Sequence, residues 1–411
     1  MKCRFCGSAL EHTFADLGMS PLANSYPEAG ADRMEPFYPL RAYVCGACYL
    51  VQLDAFQTPE DIFGDYAYFS SYSDTWLNHS RDYARDMIER FGLGPESLVV
   101  EVASNDGYLL RHFQERGVPV LGVEPARNVA LAAMEAGVPT VVEFFGEKTA
   151  GLLAEDGKRA DLLAGNNVLA HVPDLNGFVR GMKALLKRGG VITMEFPHLM
   201  RLIEGNQFDT IYHEHFSYFS FTTVKRVFEA HGLCVFDVEE LPTHGGSIRI
   251  YACHSEDGSK TARTQVNARV KEMTDREAGS GFGTLELYLS FDQRIKETKR
   301  DILDFLIDIK RAGKSMAGYG APAKGNTLLN YCGIRTDFID FTVDRSPGKQ
   351  GRRLPGTRIP ICQPGWIMEA RPDYLVILPW NIKEEVMEQM ACIRGWGGKF
   401  IVLIPEPRVL S

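Results

Sequence analysis

Short apolar runs separated by glycine-bearing turns recur along most of this chain in two series. From Ser97 the order is strand, turn, helix, strand (SLVVEVA, SNDG, YLLRHFQERG, VPVLGVEP), which is the opening βαβ unit of a doubly wound sheet. ADLLAGNNVLA and GGVITMEFP read as further strands of it. After a charged, helical stretch from Leu285 to Ala312 a second series begins: KSMAGYG, APAKGNTLLNYCG, DFIDFTVD, PDYLVILPW and GKFIVLIPEP. It predicts a separate α/β domain of Rossmann type. Upstream of both, the period is lost in DIFGDYAYFSSYSDTW, a connector or lid that leads into a helix predicted from Thr75 to Phe91, stopped by Gly92, Gly94 and Pro95.

The first residues follow neither pattern. Cys3 and Cys6 in KCRFCGS and Cys45 and Cys48 in VCGACYL form two Cys-x-x-Cys pairs, whose four thiolates suit tetrahedral, structural zinc. The 38 residues between the pairs exceed ordinary zinc-ribbon spacing, so LGMSPLANSYP is expected to project as an insertion. Redox dithiols are the competing reading, but no βαβ pattern surrounds either pair. With 411 residues and 45% apolar composition, two or three domains of about 150 residues are expected. The division is a zinc-binding module over 1–70, a central α/β domain over 71–284 and a C-terminal Rossmann-like domain over 285–411.

A net charge of −8 and a pI near 5.8 argue against nucleic acid as the main partner. No signal peptide precedes Cys3, no apolar run approaches about 20 residues, and Cys234, Cys253, Cys332, Cys362 and Cys392 are scattered. These features predict a cytoplasmic protein with no membrane partner. The sequence does not fix the oligomeric state, and a monomer is compatible with it.

Chemistry enters at the first βαβ turn. Glu101 to Gly107, EVASNDG, carries one glycine and lacks the G-x-G-x-x-G fingerprint of a dinucleotide site. Glu124 ends the second strand in GVEP, where a carboxylate can accept from both ribose hydroxyls, and Asn166 and Asn167 end a later one. A small-residue turn, an acid after strand two and this polar pair together describe an S-adenosyl-L-methionine site.

The ordered blocks CxxC…CxxC, EVASNDGYLL, GVEP, GNNVLAHVPDLNGFV, IYHEHFSYFS, THGGSIR and GYGAPAKGNTLLNY resemble the sugar C-methyltransferases, which use S-adenosyl-L-methionine to methylate C3 of nucleotide-linked 4-keto-deoxysugars. The resemblance runs from Cys3 to the last strand. It implies a zinc module, a central class I methyltransferase domain and a C-terminal Rossmann-like domain around one active site, with a nucleotide sugar, of dTDP type, between them. It also implies a cofactor set of Ala103, Ser104, Asn105, Gly107, Glu124, Pro125, Asn128, Asn166, Asn167 and His171.

Carbon becomes nucleophilic only when a proton leaves the position next to a ketone, so such an enzyme needs a base and a means of stabilising an enolate. By resemblance the base is His215, with Glu214 and Tyr212 beside it to orient the sugar or polarise its C4 oxygen, and inversion is implied at C3. His213 falls where the family motif does not require a histidine. Tyr66 or Tyr68, in DYAYFSS, is implied as a further contact to the sugar, against the alternative of domain packing. His244 and Gly245, in HGGS, would bring backbone close to substrate, or form a tight turn. Lys324 is offered to the diphosphate.

Other readings stay open. Tyr212–His215 could be a metal site or a structural network, although on a helix His213 and His215, two residues apart, would lie on opposite sides. GYGAPAKGN invites a second nucleotide, but a lone glycine motif is weak. A sugar O- or N-methyltransferase would share the donor pocket without needing α-proton abstraction, and a zinc-knuckle nucleic-acid binder would need a basic face.

Overall fold

Three β-sheets organise the described residues, which in this computed structural model are 1–30, 34–58, 70–72, 74–257 and 266–410. At the N-terminus β1 (His12–Ser20), β2 (Tyr38–Val44) and β3 (Val51–Leu53) form an antiparallel meander. The predicted first helix is α1 (Asp74–Phe91), which buries Tyr83, Ala84, Met87 and Phe91 at helical spacing along one face.

Strand and helix then alternate as the pattern predicts: β4 (Val99–Val102), α2 (Leu110–Gln114), β5 (Val120–Val123), α3 (Arg127–Glu135), β6 (Thr140–Val141), α4 (Glu147–Glu155), β7 (Ala160–Asn166), α5 (Leu175–Leu185) and β8 (Leu186–Pro197). Every residue of β4 and β5 is buried, as expected for parallel strands covered on both faces. Next come α6 (Leu199–Glu204), β9 (Ser217–Tyr218), α7 (Phe221–Ala230), β10 (Leu233–Leu241), β11 (Ser247–His254) and α8 (Ala268–Gly279). The central sheet has the order β10-β11-β8-β7-β4-β5-β6, with β11 antiparallel between β8 and β10. This is the doubly wound sheet, closed by an antiparallel pair that the alternating pattern did not foretell.

β9 leaves that sheet. It pairs with β3, Val51 opposite Tyr218 and Gln52 opposite Ser217, so the IYHEHFSYFS block is stitched to the zinc module. The long helix α9 (Leu285–Arg311) buries Tyr288, Phe291, Ile295, Thr298, Ile302, Leu306 and Ile309, a stripe spaced by threes and fours. Phe14 of β1 stacks on Phe291 at 4.9 Å, and Leu328, Val376 and Ile401 share the same core. Each such buried apolar side chain contributes about 1.5–3 kcal/mol, which makes α9 the spine joining the two ends of the chain.

The second α/β series folds as β12 (Met316–Tyr319), α10 (Ala323–Cys332), β13 (Thr342–Val343), β14 (Ile361–Cys362), α11 (Trp366–Ala370), β15 (Tyr374–Ile377), α12 (Lys383–Gln389), β16 (Lys399–Val402) and β17 (Arg408–Leu410). Its sheet order is β14-β13-β12-β15-β16-β17, parallel except for β17. Loops at the carboxyl ends of β8, β10, β12 and β15 meet. Trp380, after β15, donates from Nε1 to Asp209 Oδ2 at 2.7 Å. Among the described residues no helix is long and apolar enough to cross a membrane.

Candidate active site and metal centre

The two cysteine knuckles converge. Cys3 and Cys48 sulfurs lie 3.6 Å apart and Cys6 and Cys45 sulfurs 3.5 Å apart, with all four within 4.8 Å of one another. Tetrahedral zinc at Zn–S distances of about 2.3 Å needs sulfurs separated by about 3.8 Å, so the donor set fits the ion. Gln52 Nε2 donates to Cys3 Sγ at 3.2 Å, the second-sphere contact such a thiolate needs. This is the described residues' cluster able to hold a metal; the histidines of Tyr212–His215 form no such group.

At the first βαβ turn, Ala103, Asn105 and Gly107 all adopt positive φ, 57°, 50° and 75°. Gly107 is required there, because a Cβ would meet Val138 at 2.8 Å. Glu124 accepts from Asn105 N and Ala126 N, both at 2.9 Å, and its burial pushes the carboxyl pKa up. Ser104 Oγ, Asp106 Oδ1 and Asn167 Oδ1 are buried without a partner among the described residues, polar atoms that a bound ligand would satisfy. Pro125 and Asn128 lie half-buried at the start of α3, and Asn166 donates to the Tyr108 hydroxyl at 3.4 Å. Ser70 N and Ser71 N, which follow the connector, donate to Asn105 Oδ1 and Asp106 Oδ2. Tyr66 and Tyr68 lie outside the described residues.

Tyr212–His215 is a turn closed by His215 N donating to Tyr212 O at 2.9 Å. The helical geometry considered for it in the sequence does not apply, because the segment runs from a buried 3-10 turn at Phe208–Thr210 directly into β9. The two histidines still part company. His213 Nε2 meets Pro39 O at 3.2 Å, against Tyr38 and Phe56. His215 faces the Tyr212 ring at 4.1 Å and the His171 ring at 4.8 Å. Its Nδ1 lies 3.0 Å from Thr210 O; a carbonyl only accepts, so Nδ1 carries the proton and Nε2 is the basic nitrogen. Burial, then the neighbouring His171, hold the His215 pKa well below its ordinary value. Burial likewise lowers His171 to about 4, and its Nδ1 donates to Glu214 O at 2.9 Å.

Glu214 is buried, which pushes its pKa up to about 7, against the pull of the Asn24 hydrogen bond and the Lys349 charge. Lys324 is half-buried over the Trp380 ring and donates to Asn381 Oδ1 at 2.7 Å. Burial lowers its pKa to about 8 while Asp209 opposes the shift, and its charge reaches both His215 and His244. His244 has φ 54° and meets Asn167 Nδ2 at 3.1 Å, and Gly245 packs so closely on Trp380 that a Cβ would lie 2.5 Å from the ring.

One group escaped the sequence reading. Glu195, at the carboxyl end of β8, accepts from His79 Nε2 at 2.9 Å, Arg249 Nη2 at 2.7 Å and Thr243 Oγ1 at 3.0 Å. Burial would raise its pKa, but the His79 bond and the Arg249 charge prevail and hold it at about 2. Trp76 stacks on His79 at 5.0 Å and also approaches Tyr108 and His244. The signal was available, since ligands gather at the carboxyl ends of strands in such sheets, and Glu195 stands two residues before the end of the GGVITMEFP strand.

Comparison with known proteins agrees with this layout. A zinc binding domain family matches residues 3–63, a methyltransferase domain family residues 76–238, and a C-methyltransferase C-terminal domain family residues 242–405. The C-methyltransferase NovU of Streptomyces niveus is 38% identical over 414 residues, covering 100% of this chain and 97% of that protein. A ubiquinone biosynthesis O-methyltransferase of Methylobacterium nodulans is 35% identical over 121 residues, covering 26% of this chain and 47% of that enzyme. S-adenosyl-L-methionine as methyl donor and zinc in the cysteine cluster fit the residues described. With its full length matched and its three parts in the same order, the chain belongs to the C-methyltransferase family.

Proposed function

We propose that this C-methyltransferase acts on C3 of a nucleotide-linked 4-keto-6-deoxy sugar, of dTDP type, through an enolate, in deoxysugar biosynthesis. The observation that carries the reading is His215: a buried, neutral imidazole whose proton is held on Nδ1 by Thr210 O, leaving Nε2 to accept. A methyl placed on oxygen or nitrogen would not require a base aimed at a C–H bond.

His215 Nε2 takes the C3 proton as the electron pair moves into the C3–C4 bond and onto the C4 oxygen. Glu214, part protonated near neutrality, and the Tyr212 hydroxyl are the donors for that oxygen. Lys324 supplies positive charge to the same region, where it serves a phosphate or the enolate. When bound, S-adenosyl-L-methionine supplies an electrophilic methyl carried by a sulfonium. The Ala103–Gly107 turn, Glu124, Pro125, Asn128, Asn166, Asn167 and His171 hold the donor side, while Tyr66 or Tyr68, His244 and Gly245 hold the sugar. The site draws on all three modules, 1–70, 71–284 and 285–411. The enzyme works in the cytoplasm, where thiols stay reduced for zinc.

The test is incubation of the protein with a 4-keto-6-deoxy nucleotide sugar in D₂O, with and without S-adenosyl-L-methionine, for wild type and His215→Ala. Deuterium uptake at C3 and one added methyl on carbon, both lost in the variant, are expected. A methylated product that retains an exchangeable C3 proton would replace this reading with O- or N-methylation.

A further inference from the structure

The catalytic turn ends in β9, a strand of two residues, too short to fix its own position. What fixes it is the zinc knuckle. Arg4 lies between Cys3 and Cys6, and its guanidinium Nη1 donates to Phe216 O, the carbonyl of the residue directly after His215. The same nitrogen reaches Ser217 Oγ at 3.4 Å, and Nη2 donates to Leu53 O at 2.9 Å. Leu53 N donates to Phe216 O at 3.1 Å, so one guanidinium clamps both strands where they first meet. The guanidinium carbon sits 5.6 Å from the Phe216 ring centroid.

The knuckle is tied down in turn. Arg4 N donates to Gln52 Oε1 at 2.9 Å while Gln52 Nε2 donates to Cys3 Sγ, and Asn176 Nδ2 donates to Arg4 O and Phe5 O. A planar fork with donors fixed in direction sets register in a way a lysine point charge cannot.

We propose that Arg4 is a positioning residue: it transmits the order of the metal knuckle to the turn that presents His215, resting on the assignment of His215 as base. The zinc module is then part of the active-site scaffold as well as a stabilising clasp. A purely structural Arg4 would, when replaced, lower stability or zinc content and leave the His215 ring where it is.

The experiment compares wild type, Arg4→Met and Arg4→Lys. Zinc per chain and S-adenosyl-L-methionine affinity are measured first, then kcat and KM with a dTDP-4-keto-6-deoxy sugar. Histidine-ring proton–nitrogen correlation spectra follow, with His215 assigned by its absence in His215→Ala. For Arg4→Met we expect zinc and donor affinity unchanged, kcat lower by about tenfold or more with KM within about threefold, and the Nδ1–H signature of His215 weakened or moved. Arg4→Lys should recover part of both changes. An unmoved His215 signal in Arg4→Met, or a rate loss that only follows zinc loss, would overturn the proposal. If wild type fails to turn over the sugar, only the substrate reading falls, and the spectra still decide the role of Arg4.

Discussion

Asn24 Nδ2 donates to Glu214 Oε1 at 2.7 Å, joining the insertion between the cysteine pairs to the Tyr212–His215 turn across 190 residues. Tyr26, two residues on, donates to Ala321 O at 2.6 Å, so the insertion also reaches the C-terminal sheet. The bond favours ionised Glu214, whose pKa burial raises to about 7. Asn24→Ala should therefore raise it further, moving the alkaline limb of the kcat/KM profile to higher pH if protonated Glu214 is the working form. Glu214→Gln should abolish that limb. A limb unmoved in both variants would show that Glu214 does not titrate in the rate.

Glu195 carries a buried charge balance with Arg249 and His79. Glu195→Gln keeps the shape but leaves Arg249 and His79 facing a neutral amide, and breaking such a buried pair costs about 3 kcal/mol. Because Glu195 titrates at about 2 when folded and near about 4.3 when unfolded, its contribution is present above the unfolded value and lost as pH falls toward the folded one. Urea denaturation of wild type and variant should show a gap that narrows as pH drops below about 4. A constant gap would mean that the loss is packing rather than charge.

Where strand and helix alternate, the sequence was legible: β4, β5, β7 and β8 stand in the apolar runs SLVVEVA, VPVLGVEP, ADLLAGNNVLA and GGVITMEFP, and the cysteine spacing announced the metal cluster. What it could not show arises from pairing between distant segments. β9 is two residues long and has no period to read; its partner β3 lies far upstream. His79, Glu195 and Arg249 come from a helix and two strands, and each alone looks like an ordinary polar residue. Lys324 sat in a glycine-rich motif that suggested phosphate, and only the tertiary fold puts it over Trp380 and near His215.

Gly245 meets Trp380 where the C-terminal domain closes on the His244 loop. Its φ is +93°, and a Cβ would sit 2.5 Å from the indole ring, so Gly245→Ala combines backbone strain with a clash worth about 1–3 kcal/mol. We expect lower stability and a raised sugar KM. Adding Trp380→Leu should relieve the clash but not the strain, giving a double variant less impaired than the sum of the singles. Strict additivity would show that the two residues do not press on one another.

Zinc should be present at one ion per chain and be needed for more than local order. Its loss, by chelation or by Cys45→Ser, frees the two knuckles together with Gln52, which bonds Cys3, and Arg4, which bonds Phe216. Metal binding by closed four-sulfur sites is coupled to folding, and loss of even a few kcal/mol should lower the melting temperature by more than about 5 °C. The α9 stripe that packs on Phe14 should resist, since it is held by apolar contacts rather than by the metal. Hydrogen exchange therefore ought to rise first at β3 and β9 and later in β1, with methyl transfer lost at the first stage. Simultaneous exposure of β1 and β9 would instead mean that the small module melts as one unit with the metal.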